Sequence, residues 1–410
     1  MHALEQLTSL LAHCRAGTIT SPHCRTGAIT GLATTSSTPA SGAPRFIDIG
    51  ANLLDGMFYG NYRGKQCHEA DVDAVLDRAA DAGVERLIVT AGSLEESKHA
   101  ISFIREQRRK QSPVGLYSTV GVHPTRALEF LPAQARGEIE DAMKQVAADA
   151  ADALAATRLA ELEASVLARP DVVEAVEAHS KALLEVVEEG RKEGIVVAVG
   201  ECGLDYDRLF FCPAGVQKVG FEAQLTLAQR SGLPLFLHNR NTQGDFAAVC
   251  EARRDQTLGG GVVHSFDGEG DELEQLLRLG FGIGLNGCSL RTRSNLDVAA
   301  RVPLGALHLE TDAPWCSIKR THAGYEHVRP LVPSSALASG GETYPEVKKE
   351  KWVAGATVKD RCEPCHIVHV LQVISGERKA EADEATIAAA AYENSLRMFW
   401  PGAAEAATAK

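Results

Sequence analysis

The sequence predicts an α/β fold in which eight parallel strands alternate with helices and close into a barrel, the (β/α)8 or TIM-barrel class. Short runs rich in β-branched residues recur along the chain, and each run ends in glycine or polar residues. These runs occupy residues 45–50, 85–92, 116–123, 195–201, 233–240, 260–266, 281–287 and 307–312. Amphipathic stretches such as 70–83 and 216–231 lie between them, and a glycine at or directly after the end of each is typical of a helix terminus.

The strand-like runs indicate a sheet that is covered on both faces. Residues 195–199 (Ile-Val-Val-Ala-Val) are apolar throughout, whereas a strand with one solvated face would alternate apolar and polar residues. Parallel strands that are joined by helical crossovers produce this two-sided burial. Eight strand–helix units in succession therefore predict a closed barrel.

The chain is expected to divide into an extension, a barrel and a short tail. Residues 1–44 are rich in Ser, Thr, Ala and Gly, have Glu5 as their single acid, and nearly repeat residues 13–20 at 23–30. An acid-poor start is typical of an organellar transit peptide, and a disordered extension with no targeting role is the alternative. We expect the barrel over residues 45–402 and a flexible tail over 403–410.

Two segments interrupt the alternation of strands and helices. Residues 131–194 are rich in Ala and Glu and are too long for one crossover helix. We expect them to form a helical insertion after the third strand, as a helix pair broken near Pro170. Residues 329–361 mix Pro, Gly and Ser with charged residues, and they predict an irregular segment after the eighth strand.

Composition excludes several classes of protein. A formal net charge of −12 disfavours broad coating of nucleic acid, although it is compatible with a local basic cleft around a metal site. No apolar run approaches the ~20 residues that span a bilayer, so no membrane segment is expected.

The 10 cysteines are scattered, as reduced thiols are in an intracellular protein. We expect a cytoplasmic or nuclear location, or a mitochondrial one if residues 1–44 are a transit peptide.

Residues 362–366 (Cys-Glu-Pro-Cys-His) match the bare pattern for covalent haem attachment. Helix initiation is the alternative, because an acidic residue and a proline are common in the first turn of a helix. No haem-sized apolar lobe is indicated nearby, so the segment is better explained as the start of a helix.

Side chains that can bind metals follow several of the predicted strands. In a barrel of this class the carboxyl ends of the strands gather at one mouth. A single histidine there is usually a packing residue, and a single aspartate is usually a cap. Packing and helix capping do not explain why two acids and several imidazoles would converge at one mouth. This convergence favours a metal site. The residues are His123, Glu201, His238, His264 and Asp312.

A metal site of this composition suits phosphodiester hydrolysis. The anionic phosphodiester repels an attacking nucleophile, and divalent ions neutralise the phosphate, promote ionisation of water and stabilise the leaving oxygen. Mixed imidazole and carboxylate ligands suit Zn, Mn or Mg, depending on the geometry.

Six motifs in chain order resemble the TatD-type deoxyribonuclease family of metal-dependent hydrolase barrels, and the eukaryotic branch most closely. They lie at residues 48–53, 119–124, 200–205, 237–240, 263–268 and 310–315. The resemblance covers roughly residues 45–402 without the helical insertion. Each motif is weak alone, but six in the same order on successive strands are specific.

The resemblance implies a role for each matched residue. Glu201, His238, His264 and Asp312 would be metal ligands, with Glu201 bridging two divalent ions and Asp312 also orienting or deprotonating the attacking water. His123 would be a phosphate contact or an additional ligand. Arg240 is a candidate phosphate contact because its planar guanidinium suits that anion, and a surface ion pair is the alternative.

One motif departs from the wider hydrolase group. Many of its barrels carry His-x-His at the tip of the first strand, where this chain has Gly50 and Asn52. The amide oxygen of Asn52 is a harder ligand than imidazole nitrogen, so we expect Mg or Mn to be preferred, with Zn as the alternative.

The sequence thus predicts a metal-dependent deoxyribonuclease. A 3′–5′ exonuclease mode is what the family resemblance implies, and an enclosed mouth that fits a strand terminus agrees with it. Two alternatives stay open: hydrolysis of another bond, such as an amide, a lactone or an aminoacyl-RNA ester, and a non-catalytic scaffold. DNA is the expected partner, and no protein partner is identifiable. Basic patches could hold the DNA, or they could belong to a solvated loop. These patches comprise Lys319, Arg320 and His322, and residues 348–352 and 359–361.

Overall fold

The computed structural model describes residues 44–148, 154–333 and 343–408, so nearly all of the predicted extension at 1–44 lies outside the described residues. The strands are β1 (Phe46–Ala51), β2 (Asn61–Tyr62), β3 (Lys65–Gln66), β4 (Val84–Val89), β5 (Gly115–Val120), β6 (Val196–Asp205), β7 (Leu235–Arg240), β8 (Gly261–Val263), β9 (Gly282–Leu285), β10 (Leu307–Leu309), β11 (Glu346–Val347) and β12 (Thr357–Val358). Eight of them form one parallel sheet in the order β1-β4-β5-β6-β7-β8-β9-β10. Each of the eight predicted runs overlaps one of these eight strands, which confirms the predicted fold.

Helices connect the strands. They are α1 (Val72–Asp81), α2 (Leu94–Arg109), α3 (Ala133–Ala148), α4 (Ala155–Leu167), α5 (Pro170–Lys192), α6 (Ala214–Ser231), α7 (Asp245–Ala252), α8 (Arg254–Thr257), α9 (Gly270–Arg278), α10 (Arg293–Arg301), α11 (Ile367–Glu377), α12 (Glu384–Phe399) and α13 (Pro401–Thr408). Within the described ranges, no helix is both long and apolar enough to cross a bilayer.

The described part of the segment between β5 and β6 contains three helices, α3, α4 and α5, where the sequence predicts a helix pair. A break does occur near Pro170, because α4 ends at Leu167 and Pro170 occupies the first turn of α5. Residues 403–408 of the predicted tail at 403–410 belong to α13. Residues 362–366 begin a helix as predicted, because Glu363 caps a short 3-10 turn (Pro364–His366) that leads into α11.

The barrel closes where β1 meets β10. The backbone N–H of Asn52 donates to the carbonyl of Ala313 at 2.6 Å, and that of Asp312 donates to the carbonyl of Gly50 at 2.8 Å. These bonds join the last strand to the first at their carboxyl ends.

The amino end of the barrel is filled by apolar side chains. A cluster inside the barrel includes Ile49, Phe236 and Val262, and Tyr392, Leu396 and Phe399 of α12 belong to the same cluster. A second, larger cluster lies between the sheet and the surrounding helices. Since α12 packs against the interior cluster, the carboxyl ends of the strands are the end of the barrel that is left open for a site.

A buried ion network ties the segment after β12 to α1. The guanidinium of Arg361 donates to both oxygens of Asp71 at 2.7 and 2.6 Å and to Glu363 at 2.8 Å. Arg78 donates to Glu363 at 2.7 Å. All four side chains are buried, so each charge depends on its partners instead of on water.

We expect Arg361→Ala to lower the free energy of unfolding by about 3–5 kcal/mol, because it leaves Asp71 and Glu363 buried without their main counter-charge. Denaturant unfolding measures this change. Arg105→Ala is the control, since Arg105 pairs with Glu189 and Glu193 at the surface and its loss should cost at most ~1 kcal/mol. Equal losses in both variants would contradict a structural role for the buried network.

Candidate active site

The barrel mouth brings together side chains from strands that are far apart in sequence. Glu201 and His238 lie on β6 and β7, and His264 directly follows β8. His123 follows β5, Asp312 follows β10, and Asn52 follows β1. All of these residues lie at or just beyond the carboxyl end of a barrel strand, except Glu201, which lies within the longer strand β6.

One carboxylate oxygen of Glu201 is the centre of the site. Its Oε1 lies 2.7 Å from Nδ1 of His238, 2.8 Å from Nε2 of His264 and 3.3 Å from Nε2 of His123. The facing nitrogens of His238 and His264 are 3.1 Å apart. His123, Glu201 and His238 form a group whose ligand atoms are all close enough to bind one metal ion.

Local structure turns His123 toward this centre. His123 caps the 3-10 helix Pro124–Phe130, and its Nδ1 accepts a hydrogen bond from the backbone N–H of Thr125 at 3.2 Å. With Nδ1 committed to the cap, Nε2 is the nitrogen that faces Glu201.

Two further carboxylates lie behind the imidazoles, and the sequence did not single them out. Asp205 Oδ2 lies 3.3 Å from Nε2 of His238, and Glu310 Oε2 lies 3.6 Å from Nδ1 of His264. Strand periodicity could have identified them, because residues an even number of positions apart face the same side of a strand. Asp205 is four residues after Glu201, and Glu310 is two residues before Asp312.

Asp312 is held by polar contacts from the loop after β1 and from its own loop after β10. The amide nitrogen of Asn52 donates to Asp312 Oδ1 at 2.8 Å, and the thiol of Cys316 donates to Oδ2 at 3.3 Å. The amide oxygen of Asn52 accepts from the hydroxyl of Thr90 at 2.8 Å. Asn52 therefore directs its nitrogen, and not the oxygen considered as a metal ligand, toward Asp312.

The electrostatics of the site are dominated by burial and by the pairing of opposite charges. Burial acts to raise the pKa of Glu201, but the facing His264 and His123 outweigh it and hold this pKa well below its usual range. For His264, burial opposes protonation, whereas Glu201 and Glu310 hold its pKa well above the usual range. Burial also raises the pKa of Asp312 to about 6.

A buried aspartate supports the mouth from below. Asp48 on β1 accepts from the hydroxyl of Thr311 at 2.6 Å and from its backbone N–H at 3.0 Å. Burial raises the pKa of Asp48 to about 8. Its contacts link β1 to the segment that carries Asp312, so we assign it a structural role.

A glycine allows β6 to approach β7 closely. Gly203 has a φ of 145°, and a Cβ there would lie only 1.9 Å from the carbonyl oxygen of His238. A side chain at this position would push His238 away from Glu201.

Arg240 faces Asp267 across the rim, with Nη1 3.5 Å from Asp267 Oδ2. Its Nε is buried and makes no hydrogen bond to any described residue. The ion pair agrees with the alternative noted from sequence, while the free Nε leaves a donor for an anion.

The donor set fits a divalent cation. Within the described parts of the chain, four buried atoms at the mouth lack a hydrogen-bond partner: Asp205 Oδ1, His238 Nε2, His264 Nδ1 and Glu310 Oε2. Buried polar atoms are normally satisfied, so their clustering needs an explanation. A bound cation supplies positive charge to the carboxylates and binds deprotonated imidazoles.

Comparisons with known proteins place these features in a family. A family model described as TatD related DNase matches residues 47–400. The deoxyribonuclease Tat-D of Schizosaccharomyces pombe is 34% identical over 355 residues, which cover 87% of this chain and 96% of that protein. The 3′-5′ ssDNA/RNA exonuclease TatD of Yersinia pseudotuberculosis is 29% identical over 355 residues, 86% of this chain and 98% of that protein.

A solved structure agrees with these sequence matches. The crystal structure of a TatD family hydrolase from Entamoeba histolytica superposes with a TM-score of 0.68 at 32% identity. The match covers 88% of this chain and 100% of that chain. The similarity therefore extends through the whole barrel and includes every strand that carries a site residue.

We expect Asn52→Ala to lower kcat by about tenfold to a hundredfold, because a hydrogen bond to a charged carboxylate is lost and Asp312 becomes free to rotate. Calorimetric titration with Mg²⁺ or Mn²⁺ should give a loss of affinity of at most about tenfold, because the Asn52 oxygen is bonded to Thr90 and only the orientation of Asp312 changes. Thr90→Val, which removes only that second bond, should have a smaller effect on kcat. A large loss of metal affinity in Asn52→Ala would instead make Asn52 a ligand.

Proposed function

Because the chain belongs to the TatD-related DNase family, we propose that it is a divalent-metal-dependent deoxyribonuclease that hydrolyses the phosphodiester bonds of DNA. One observation supports this function above all others: three imidazoles from three strand tips converge on a single oxygen of Glu201. Packing alone does not require this arrangement, whereas a hydrolytic metal centre does.

We propose that the centre holds two divalent ions that share Glu201. His123 and His238 would complete one site, and His264 and Asp312 would complete the other. Ions bound there neutralise the phosphate and favour ionisation of the attacking water.

Side chains of the protein would supply the other catalytic roles. Asp312, oriented by Asn52 and Cys316, would accept the proton of the attacking water. Asp205 and Glu310 would orient His238 and His264 from behind, as carboxylates commonly do for imidazole ligands. Arg240 would contact a phosphate oxygen through its free Nε.

We also propose a 3′–5′ exonuclease mode. The site lies at one end of a filled barrel, and a strand terminus would reach such a site more readily than the middle of a duplex. The relative from Yersinia pseudotuberculosis carries this polarity in its name. Hydrolysis of amides, lactones or aminoacyl-RNA esters is less well supported, because the matching family model is described as a DNase.

We further propose an intracellular location, because the cysteines in the described part of the chain are all free thiols. A mitochondrial location would require that residues 1–44 act as a transit peptide, and cytoplasm or nucleus is the location otherwise.

We expect Glu201→Gln to lower turnover of single-stranded and duplex DNA by at least about a hundredfold with every divalent ion, because the shared oxygen loses its charge. The substrate is an oligonucleotide labelled at its 5′ end, which wild type should shorten progressively from the 3′ end. Glu163→Gln is a matched control, since Glu163 is also buried but accepts from the backbone of Val216 at 2.7 Å. Wild-type activity in Glu201→Gln, or loss in both variants alike, would refute the assigned centre.

We expect a chelator to abolish hydrolysis and Mg²⁺ or Mn²⁺ to restore it better than Zn²⁺. The first strand supplies no imidazole, so the centre has fewer soft ligands than a His-x-His barrel. Activity regained by each ion at matched free concentration measures the preference. Full recovery with Zn²⁺ alone would reverse this assignment and leave the nuclease function intact.

A further inference from the structure

Exposed aromatic side chains lie beside the mouth. Within the described ranges, the exposed Phe, Tyr and Trp side chains are Phe210, Phe211 and Trp315, with exposures of 69%, 53% and 48%. Phe210 and Phe211 follow β6, which carries Glu201. Trp315 follows β10, and its backbone N–H donates to the carbonyl of Asp312 at 2.9 Å. All three side chains therefore lie on loops at the carboxyl ends of strands.

The two aromatic positions flank the site. In the closed sheet β6 is the fourth strand and β10 is the eighth, so their ends lie on opposite sides of the barrel. The residues around Glu201 and Asp312 occupy the space between them.

The loop that carries the phenylalanines is held at both ends. The side chain of Gln217 donates to the carbonyl of Asp205 at 2.9 Å and to that of Cys212 at 2.8 Å. Cys212 is buried, and the rings of Phe210 and Phe211 lie 4.3 Å apart between centroids. A contiguous exposed apolar segment on a fixed loop is typical of a binding surface.

Cationic side chains accompany both positions. Arg208, which precedes the phenylalanines, is half-exposed. Lys319 and Arg320 are exposed in the loop that contains Trp315. By contrast, Trp352 of the basic patch at 348–352 stacks on His68 at 5.1 Å between ring centroids, so its ring is already occupied within the protein.

We propose that Phe210, Phe211 and Trp315 form a two-sided stacking clamp for the bases of single-stranded nucleic acid, one side on each flank of the scissile phosphodiester. Unpaired bases expose the π faces that such rings bind, and the neighbouring cations follow the backbone. Bases within a duplex are stacked on one another and cannot enter the clamp. This inference rests on the proposed nuclease function and assigns the side chains that would hold the bases.

The test compares wild type, Phe210→Ala/Phe211→Ala and Trp315→Ala on two substrates. One is a single-stranded oligonucleotide, and the other has the same length and phosphates but abasic sugars near its 3′ end. We expect each variant to raise KM for the normal oligonucleotide by on the order of tenfold, with kcat nearly unchanged. KM for the abasic substrate should not change. Leu258→Ala is the control, because Leu258 is 78% exposed but lies just before β8, at the opposite end of the barrel.

A binding measurement makes the result independent of hydrolysis. An oligonucleotide with 2-aminopurine near its 3′ end, mixed with protein in chelator, should lose fluorescence on stacking in wild type and in Leu258→Ala but not in the aromatic variants. Equal quenching in all proteins, or equal KM changes for both substrates, would overturn the clamp. A changed oligomeric state with unchanged KM would also overturn it and identify a self-association surface. Quenching without hydrolysis by wild type would instead count against the proposed nuclease function.

Discussion

Strands β1 and β10 close the barrel through two backbone hydrogen bonds, Asn52 to Ala313 and Asp312 to Gly50, and the candidate site depends on this closure. An open sheet would leave unpaired edges on both strands and would place Asn52 and Asp312 at opposite ends of the structure. Below these bonds Asp48 holds Thr311. Backbone hydrogen bonds and side-chain hydrogen bonds therefore both close the barrel. The closure brings the first and the last motifs of the barrel into contact.

The mouth concentrates buried negative charge that the protein neutralises only in part. Glu201, Asp205 and Glu310 are buried close to two imidazoles, and Asp312 lies nearby. Buried carboxylates are costly unless they are paired or bound to a cation. A chain with a net charge of −12 also needs local positive charge before a phosphodiester can approach, and divalent ions at this centre would meet both requirements.

The helices between β5 and β6 support one side of the mouth. Glu163 on α4 accepts from the backbone of Val216 at 2.7 Å, and the next residue, Gln217, brackets the loop after β6. Helix α4 thus packs against the element that holds this loop in place. Such support matters because exposed aromatic side chains stack on a ligand at low entropic cost only when their backbone is fixed.

The sequence by itself determined the barrel, the order of its strands and the residue types at their tips. Apolar runs and helical periodicity are local properties, and the motifs of Glu201, His238, His264 and Asp312 are contiguous in sequence. The number of helices after β5 was not determined, since an Ala- and Glu-rich stretch contains weak signals for where one helix ends and the next begins. Tertiary structure alone decided that Asn52 directs its nitrogen to Asp312, that Asp205 and Glu310 lie behind the imidazoles, and that the strands preceding Phe210 and Trp315 lie on opposite sides of the barrel. These relations depend on side-chain orientation and on the closure of the sheet, which act between residues on different strands and leave no local pattern.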